Sequence, residues 1–130
     1  RNSDFSIAYK LIQNTILHAV KISVRDEYNR SAKSSGRFIY SLHYQLYYPF
    51  SDKWNLNGSI SFQNTEYDAE HPIFVSVREE QLRMFNSTLR FQISPDINLE
   101  TSLKIQDKNS NIKLFSYDRT ELSFGASYVF

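Results

Sequence analysis

Phe38-Ile39-Tyr40-Ser41-Leu42-His43-Tyr44-Gln45-Leu46-Tyr47-Tyr48 places an apolar or aromatic side chain at every second position, with Ile39, Ser41, His43, Gln45 and Tyr47 between. A period of two belongs to an extended strand, whose side chains point alternately to opposite faces. The same period continues outward in both directions. Upstream, Ile16, His18, Val20, Ile22 and Val24 alternate with Leu17, Ala19, Lys21, Ser23 and Arg25. Before them, Phe5, Ile7, Tyr9 and Leu11 alternate with Asp4, Ser6, Ala8 and Lys10. Downstream, Trp54, Leu56, Gly58, Ile60 and Phe62 oppose Asn55, Asn57, Ser59, Ser61 and Gln63. Further on, Ile97, Leu99, Thr101, Leu103 and Ile105 oppose Asn98, Glu100, Ser102, Lys104 and Gln106, and a last segment sets Leu122, Phe124, Ala126, Tyr128 and Phe130 against Glu121, Ser123, Gly125, Ser127 and Val129.

The segment around 79–93 is less regular. Phe85, Ser87, Leu89, Phe91 and Ile93 share one parity, but Leu82 and Met84 fall on the other, which predicts a bulge near Arg83 or a later start. Seven strands follow, over 4–12, 16–26, 37–48, 54–64, 79–93, 97–107 and 117–130. Short turns near Gln13-Asn14, Pro49 to Lys53 and Ser94 to Asp96 alternate with longer polar stretches over about 26–36, 64–78 and 107–116. Proline is barred from a sheet interior, and Ser and Asp supply turn hydrogen bonds. No segment carries a helical apolar stripe.

The 130 residues suffice for one domain, and 15% of them are aromatic, with nine Tyr, ten Phe and one Trp against three Gly and three Pro. The formal net charge of +1 gives no polyanion signature, so no nucleic-acid partner is expected. Cysteine is absent, which removes disulfides and thiolate metal sites. No apolar run reaches the length of a membrane helix, a test that does not apply to membrane strands. The segment Arg1-Asn2-Ser3-Asp4-Phe5 has neither the basic nor the apolar region of a signal peptide.

Alternation suits a soluble lipid-binding barrel as well as a membrane barrel turned inside out. Three features favour the second. The strands run to about ten residues or more, as a tilted membrane strand requires. Aromatic residues gather at two levels, with Tyr44, Tyr48, Trp54, Tyr128 and Phe130 near the short turns and Phe5, Phe38, Tyr40, Phe62 and Phe85 near the long stretches. The opposite face is polar through its middle. Separately, loops sorted by length are typical of outer-membrane barrels. The sequence therefore predicts an all-β, antiparallel up-and-down transmembrane β-barrel segment in a bacterial outer membrane. Seven strands would leave two edges without partners in lipid, and bacterial barrels have an even strand number. Residues 1–130 thus read as the C-terminal portion of a larger barrel, its other strands coming from upstream sequence or another chain.

Leu122-Ser123-Phe124-Gly125-Ala126-Ser127-Tyr128-Val129-Phe130 resembles the terminal strand of bacterial outer-membrane proteins. That resemblance implies a barrel-assembly signal at Phe124, Tyr128 and Phe130, with the barrel assembly machinery and outer-membrane lipid as partners. Ser94-Pro95, Leu99, Leu103, Asn109 to Ile112 and Phe115 to Arg119 resemble the last hairpin of surface lipoprotein assembly modifiers and of exopolysaccharide-associated porin-like barrels. The resemblance covers roughly the last 40 residues. It implies export or passage across the outer membrane, of the lipoprotein-translocation type first and the porin-like or polysaccharide type second. Tetratricopeptide repeats, which precede the barrel in the first group, are not among these residues.

The polar parity carries Lys10, Lys21, Arg25, His43, Gln45, Asn57, Arg90, Glu100, Lys104 and Glu121 as candidate lumen-lining residues. They read either as a selectivity-setting lining or as a cross-strand charge ladder, and the ladder is preferred. Folding at the Ser94 to Asp96 turn predicts Arg90 opposite Glu100, and the last hairpin predicts Lys104 near Glu121. Ser41 and His43 share a face but lack an acidic orienting partner, so no catalytic site is expected. His18, His43 and His71 are scattered and make no metal site, and no cofactor motif occurs.

Overall fold

The structure, a computed structural model, describes residues 2–28 and 36–128. Seven strands, β1 (Asn2–Gln13), β2 (Ile16–Glu27), β3 (Arg37–Pro49), β4 (Trp54–Glu70), β5 (Val77–Ser94), β6 (Ile97–Ser110) and β7 (Tyr117–Tyr128), pair in chain order into one antiparallel sheet. A 3-10 turn, Lys113–Phe115, precedes β7. β1 and β7 are the two edges, and the sheet is not closed between them.

Local chemistry explains the tight turns. Asn14 holds a positive φ of 57°, the left-handed region that Asn tolerates better than other side chains, and reverses the chain between β1 and β2. Between β3 and β4, the Ser51 hydroxyl accepts hydrogen bonds from the backbone N–H of Lys53 and Trp54 at 3.3 and 3.1 Å. Pro49 is the last residue of β3, opposite Asn55, rather than a turn residue. β5 and β6 meet with only Pro95 and Asp96 between them.

Two expectations about the other end of the sheet are corrected. The polar stretch over 64–78 is mostly strand and that over 107–116 is partly strand, because β4 runs on to Glu70, β5 begins at Val77 and β6 continues to Ser110. A strand whose two faces are both polar loses the apolar marker that reveals alternation. No bulge lies at Arg83: β5 pairs with β4 and β6 in unbroken register from Glu80 to Phe91. The irregularities fall between Glu66 and Glu70 and between Gln92 and Ser94 instead. Leu82 and Met84 therefore belong to the polar face, beside Gln63 and Ser61 of β4.

The register sorts the side chains into two faces across all seven strands. One row of the apolar face joins Ile7, Ile22, Leu42 and Phe62; another joins Tyr44, Ile60, Phe85 and Ile105. The opposite face joins Lys10, Ala19, Gln45, Ser59, Asn86, Lys104 and Glu121 in one row. Burial falls on the polar side. Ser61, Thr65 and Glu80 are buried at 9%, 3% and 8% exposure, whereas Phe62 and Ile60 on the apolar face stand at 49% and 40%. Among the described residues only Ile39 and Ile112 are buried hydrophobics, so the sheet encloses no apolar core.

The apolar face forms a slanted band. Its limit towards the longer loops is set by Phe5, Val24, Phe38, Phe62, Phe85, Ile105 and Leu122, beyond which β4 to β6 present Asn64, Glu66, Gln81, Arg83, Asp107 and Asn109. Along the hydrogen-bonded rows, this limit passes from the row of Phe5, Val24 and Tyr40 to the row of Leu46, Gly58, Ser87, Leu103 and Leu122. That is a descent of six residues over six strand-to-strand steps. The other limit descends in parallel, from Leu11 through Tyr48 and Trp54 to Tyr128. Aromatic rings line it: Tyr48 and Phe50 lie 5.6 Å apart, Phe50 and Trp54 6.2 Å, and Trp54 and Phe91 4.4 Å.

Candidate functional site

Every residue expected to line a lumen lies on the polar face: Lys10, Lys21, Arg25, His43, Gln45, Asn57, Arg90, Glu100, Lys104 and Glu121. Small hydroxyl and amide groups join there across strands. Ser23 meets Ser41 at 2.7 Å, Asn86 donates to Ser59 at 3.2 Å, Gln45 donates to Asn57 at 3.3 Å and Thr88 meets Ser102 at 3.0 Å. Such pairs are the unit of sheet stabilisation, each contributing a few tenths of a kcal/mol up to about 1. Arg90 stands opposite Glu100 and its Nε donates to the carboxylate at 2.7 Å. Lys104 also stands opposite Glu121, but Glu121 takes its ion pair from Arg119, at 2.5 Å and two positions away on the same strand face. His43 faces Lys21 and Ser61, without a carboxylate to orient it.

Towards the longer loops the polar face carries a belt of alternating charge. Asp4 of β1 pairs with Arg25 of β2 at 3.0 Å, Arg25 with Glu27 at 3.5 Å, and Glu27 with Arg37 of β3 at 2.6 Å. Arg37 also meets the Tyr67 hydroxyl of β4. Tyr67 accepts a hydrogen bond from Arg78 of β5, whose guanidinium lies 3.9 Å from the Tyr67 ring centre and 4.2 Å from that of Phe115. Glu80, 7% exposed at its side chain, sits between Arg78 at 3.2 Å and Lys108 of β6 at 3.0 Å. A buried carboxylate needs such partners to remain ionised.

Glu27 and Arg37 lie past Val24 and Phe38, outside the apolar band. There the hydrogen bond from Arg37 holds the Glu27 carboxyl below its ordinary value, against the opposing effect of partial burial. Arg37 is pushed up in turn, by Glu27 first and Tyr67 second. Sequence reasoning found Asp4 and Arg25 but missed Glu27, Arg37, Tyr67, Arg78, Glu80 and Lys108, because it placed most of them in loops. The usable signal was parity: Thr65 and Tyr67 continue the series of Ser61 and Gln63, and Arg78 and Glu80 continue backwards from Leu82.

The two loops beyond the belt are joined. Asn111 donates to the Val77 carbonyl at 2.7 Å and accepts from the Glu79 backbone N–H at 2.9 Å. His71, Phe74 and Phe115 pack with ring centres 5.0 to 6.2 Å apart. On the apolar face, Phe124 and Tyr128 of the terminal motif are exposed at 76% and 57%, and His18 is bonded to the Tyr44 hydroxyl at 2.8 Å. Phe130 lies outside the described residues, as do Arg1 and part of the 26–36 stretch. Among the described residues no group of His, Asp and Glu could hold a metal ion.

Residues 4–129 match the model of a family described as a protein of unknown function, DUF2860. The chain belongs to the DUF2860 family. No curated protein and no solved structure matches it. The DUF2860 match takes in strands β1 to β7, so the charge belt, the polar ladder and the slanted apolar band all fall within it.

Proposed function

We propose that this DUF2860 chain forms part of the wall of a bacterial outer-membrane β-barrel that passes material across the membrane, with its apolar face to lipid and its polar face to the lumen. The observation that carries the reading is the slant of the apolar band. Laid level, a band that drops one residue, ~3.3 Å, for each strand spacing of ~4.8 Å tilts the strands by about 35°. Membrane barrels tilt by about 35–45°, and a barrel whose shear equals its strand number has a tilt near 36°. Along β3 the band spans ten residue steps, from Phe38 to Tyr48, so its height is about 27 Å at that tilt. The apolar belt of membrane barrels is about 25 Å tall.

Burial on the polar side supports the same orientation, and it speaks against a soluble barrel holding an apolar ligand, which would bury the apolar set. In lipid the edges of β1 and β7 require further strands, so the sheet acts with others to close a wall. Two kinds of passage fit. Lipoprotein export draws on the resemblance of the last 40 residues. Porin-like passage of a solute draws on the wall itself, where Ser, Asn, Gln and Lys side chains face the lumen as in water-filled barrels. The test is physical state. The protein isolated from its membrane is expected to need detergent for extraction and to migrate faster on a gel unheated than boiled. A protein that is soluble without detergent and lacks this heat-dependent shift contradicts the proposal.

A further inference from the structure

Charge on the polar face is distributed unevenly between the belt and the level of the apolar band. Within the band limits of the seven strands, the charged polar-face residues are Lys10, Lys21, Arg90, Lys104 and Glu100. Arg90 is taken by Glu100 at 2.5 Å. The other carboxylates of this face, Asp4, Glu27, Glu80 and Glu121, lie beyond the band and are ion-paired to arginine or lysine there. The ion pairs thus take up the arginines and Lys108 and leave Lys10, Lys21 and Lys104.

Lys21 stands between Ala8 and His43 in its row, with Lys10 diagonally across on β1. Its remaining neighbours on the face are Ser6, Ala19, Ser23, Ser41 and Gln45. None of these positions carries a carboxylate. Lys10 is flanked by Ala8, Ile12, Ala19 and Leu17, again without an acid. Lys21 and His43 thus adjoin at mid-band among the hydroxyl and amide groups of Ser6, Ser23, Ser41, Gln45 and Ser61, which also hydrogen-bond anions, and Lys10 adds a second ammonium beside Lys21 towards the short-turn limit of the band.

We propose that the Lys10–Lys21–His43 strip is an anion-binding site on the lumen wall that draws phosphate- or carboxylate-bearing solutes through the barrel. This rests on the barrel reading above. A cleft of one charge sign with low-dielectric walls concentrates counter-ions, and rings of lysine or arginine side chains select anions in membrane pores. Arg90, neutralised by Glu100, contributes little to that field.

The experiment is the reversal potential of the full protein in planar bilayers under a potassium chloride gradient, with gel mobility as the check on folding. The wild type is expected to pass chloride in preference to potassium, and added inorganic phosphate is expected to reduce its chloride current. Lys21→Glu is expected to lower the chloride-to-potassium ratio about tenfold, because reversing a charge ~5 Å from a passing ion acts in opposite senses on the two ions and salt screens much of the effect it would have in water alone. Lys21→Gln should fall between, and Lys53→Glu, in the β3–β4 turn, should leave the ratio unchanged. A folded, conducting Lys21→Glu variant with the wild-type ratio overturns the site, as does a wild type that prefers potassium. A wild type that folds and inserts but never conducts refutes passage and this site with it. Failure to insert refutes the barrel reading itself.

Discussion

Placing an arginine at Leu42 probes the assignment of the two faces. Leu42 lies on the apolar face, 42% exposed, four residues from Phe38 and six from Tyr48. With the strand tilted by about 35°, its Cα is ~11 Å from one limit of the band and ~16 Å from the other, close to mid-depth. A charged side chain at the midplane on the lipid face costs about 2–4 kcal/mol, and near an interface about 0–1. Leu42→Arg should therefore destabilise the protein by about 2–4 kcal/mol, a drop of roughly thirty- to a thousand-fold in the folding equilibrium. Phe38→Arg, at the limit of the band, should cost about 1 kcal/mol or less. Asn57→Arg, at comparable depth on the polar face, should stay within about 0.5 kcal/mol. The assay is urea titration of protein folded into phosphatidylcholine vesicles, followed through Trp54, the only tryptophan of the chain. Its ring stacks on Phe91 at the margin of the band and so reports insertion. Equal costs at Leu42 and Asn57, or a larger cost at Asn57, would refute the orientation.

Three further outcomes are expected from the polar face. A double-mutant cycle on Arg90→Gln and Glu100→Gln should give a coupling of about 0.2–1 kcal/mol, since both groups are partly solvated; a coupling of zero would remove that rung of the ladder. Glu80→Ala should destabilise by about 3 kcal/mol in the same titration, because it leaves Arg78 and Lys108 charged and largely buried; a neutral substitution would mean that solvent reaches the belt. The depressed Glu27 carboxyl contributes stability that is present above its ordinary value of 4.5 and lost as pH falls through its folded value. Wild type should thus lose more stability than Glu27→Gln between pH 5 and acid, and parallel pH profiles would contradict the Glu27–Arg37 bond.

Facing was legible in the sequence wherever one side of a strand was apolar and the other was not. From Phe38 to Tyr48 and from Trp54 to Phe62 the contrast is continuous, and the register adds nothing to the assignment. Arg90 and Glu100 were legible because the short turn, together with the irregularity between Gln92 and Ser94, centres the hairpin on Pro95 and so aligns the flanking strands. Parity ceased to help where both faces turn polar, and there β4, β5 and β6 run several residues further than the apolar pattern indicates. Tyr67, Arg78 and Lys108 were hidden by that lengthening. Leu82 and Met84 misled in the opposite sense, as apolar residues on the polar face that suggested a bulge. Met84 in fact accepts a hydrogen bond at its Sδ from Gln106, at 3.3 Å. Alternation gave the Lys104–Glu121 register but not the ion pair, since the choice between Lys104 and Arg119 depends on side-chain reach rather than on pattern.

The face bearing Phe38, Tyr40, Leu42, Tyr44, Leu46 and Tyr48 is expected to meet lipid. Single nitroxide labels placed in turn from residue 38 to 48 of the protein in vesicles test it most directly, through relaxation by oxygen, which partitions into lipid, and by a water-soluble nickel complex. High oxygen and low nickel accessibility are expected at even positions, the reverse at Ile39, Ser41, His43, Gln45 and Tyr47, and an oxygen maximum near Leu42 and Tyr44. Even positions that respond to nickel rather than oxygen, or eleven positions without a period of two, would contradict it.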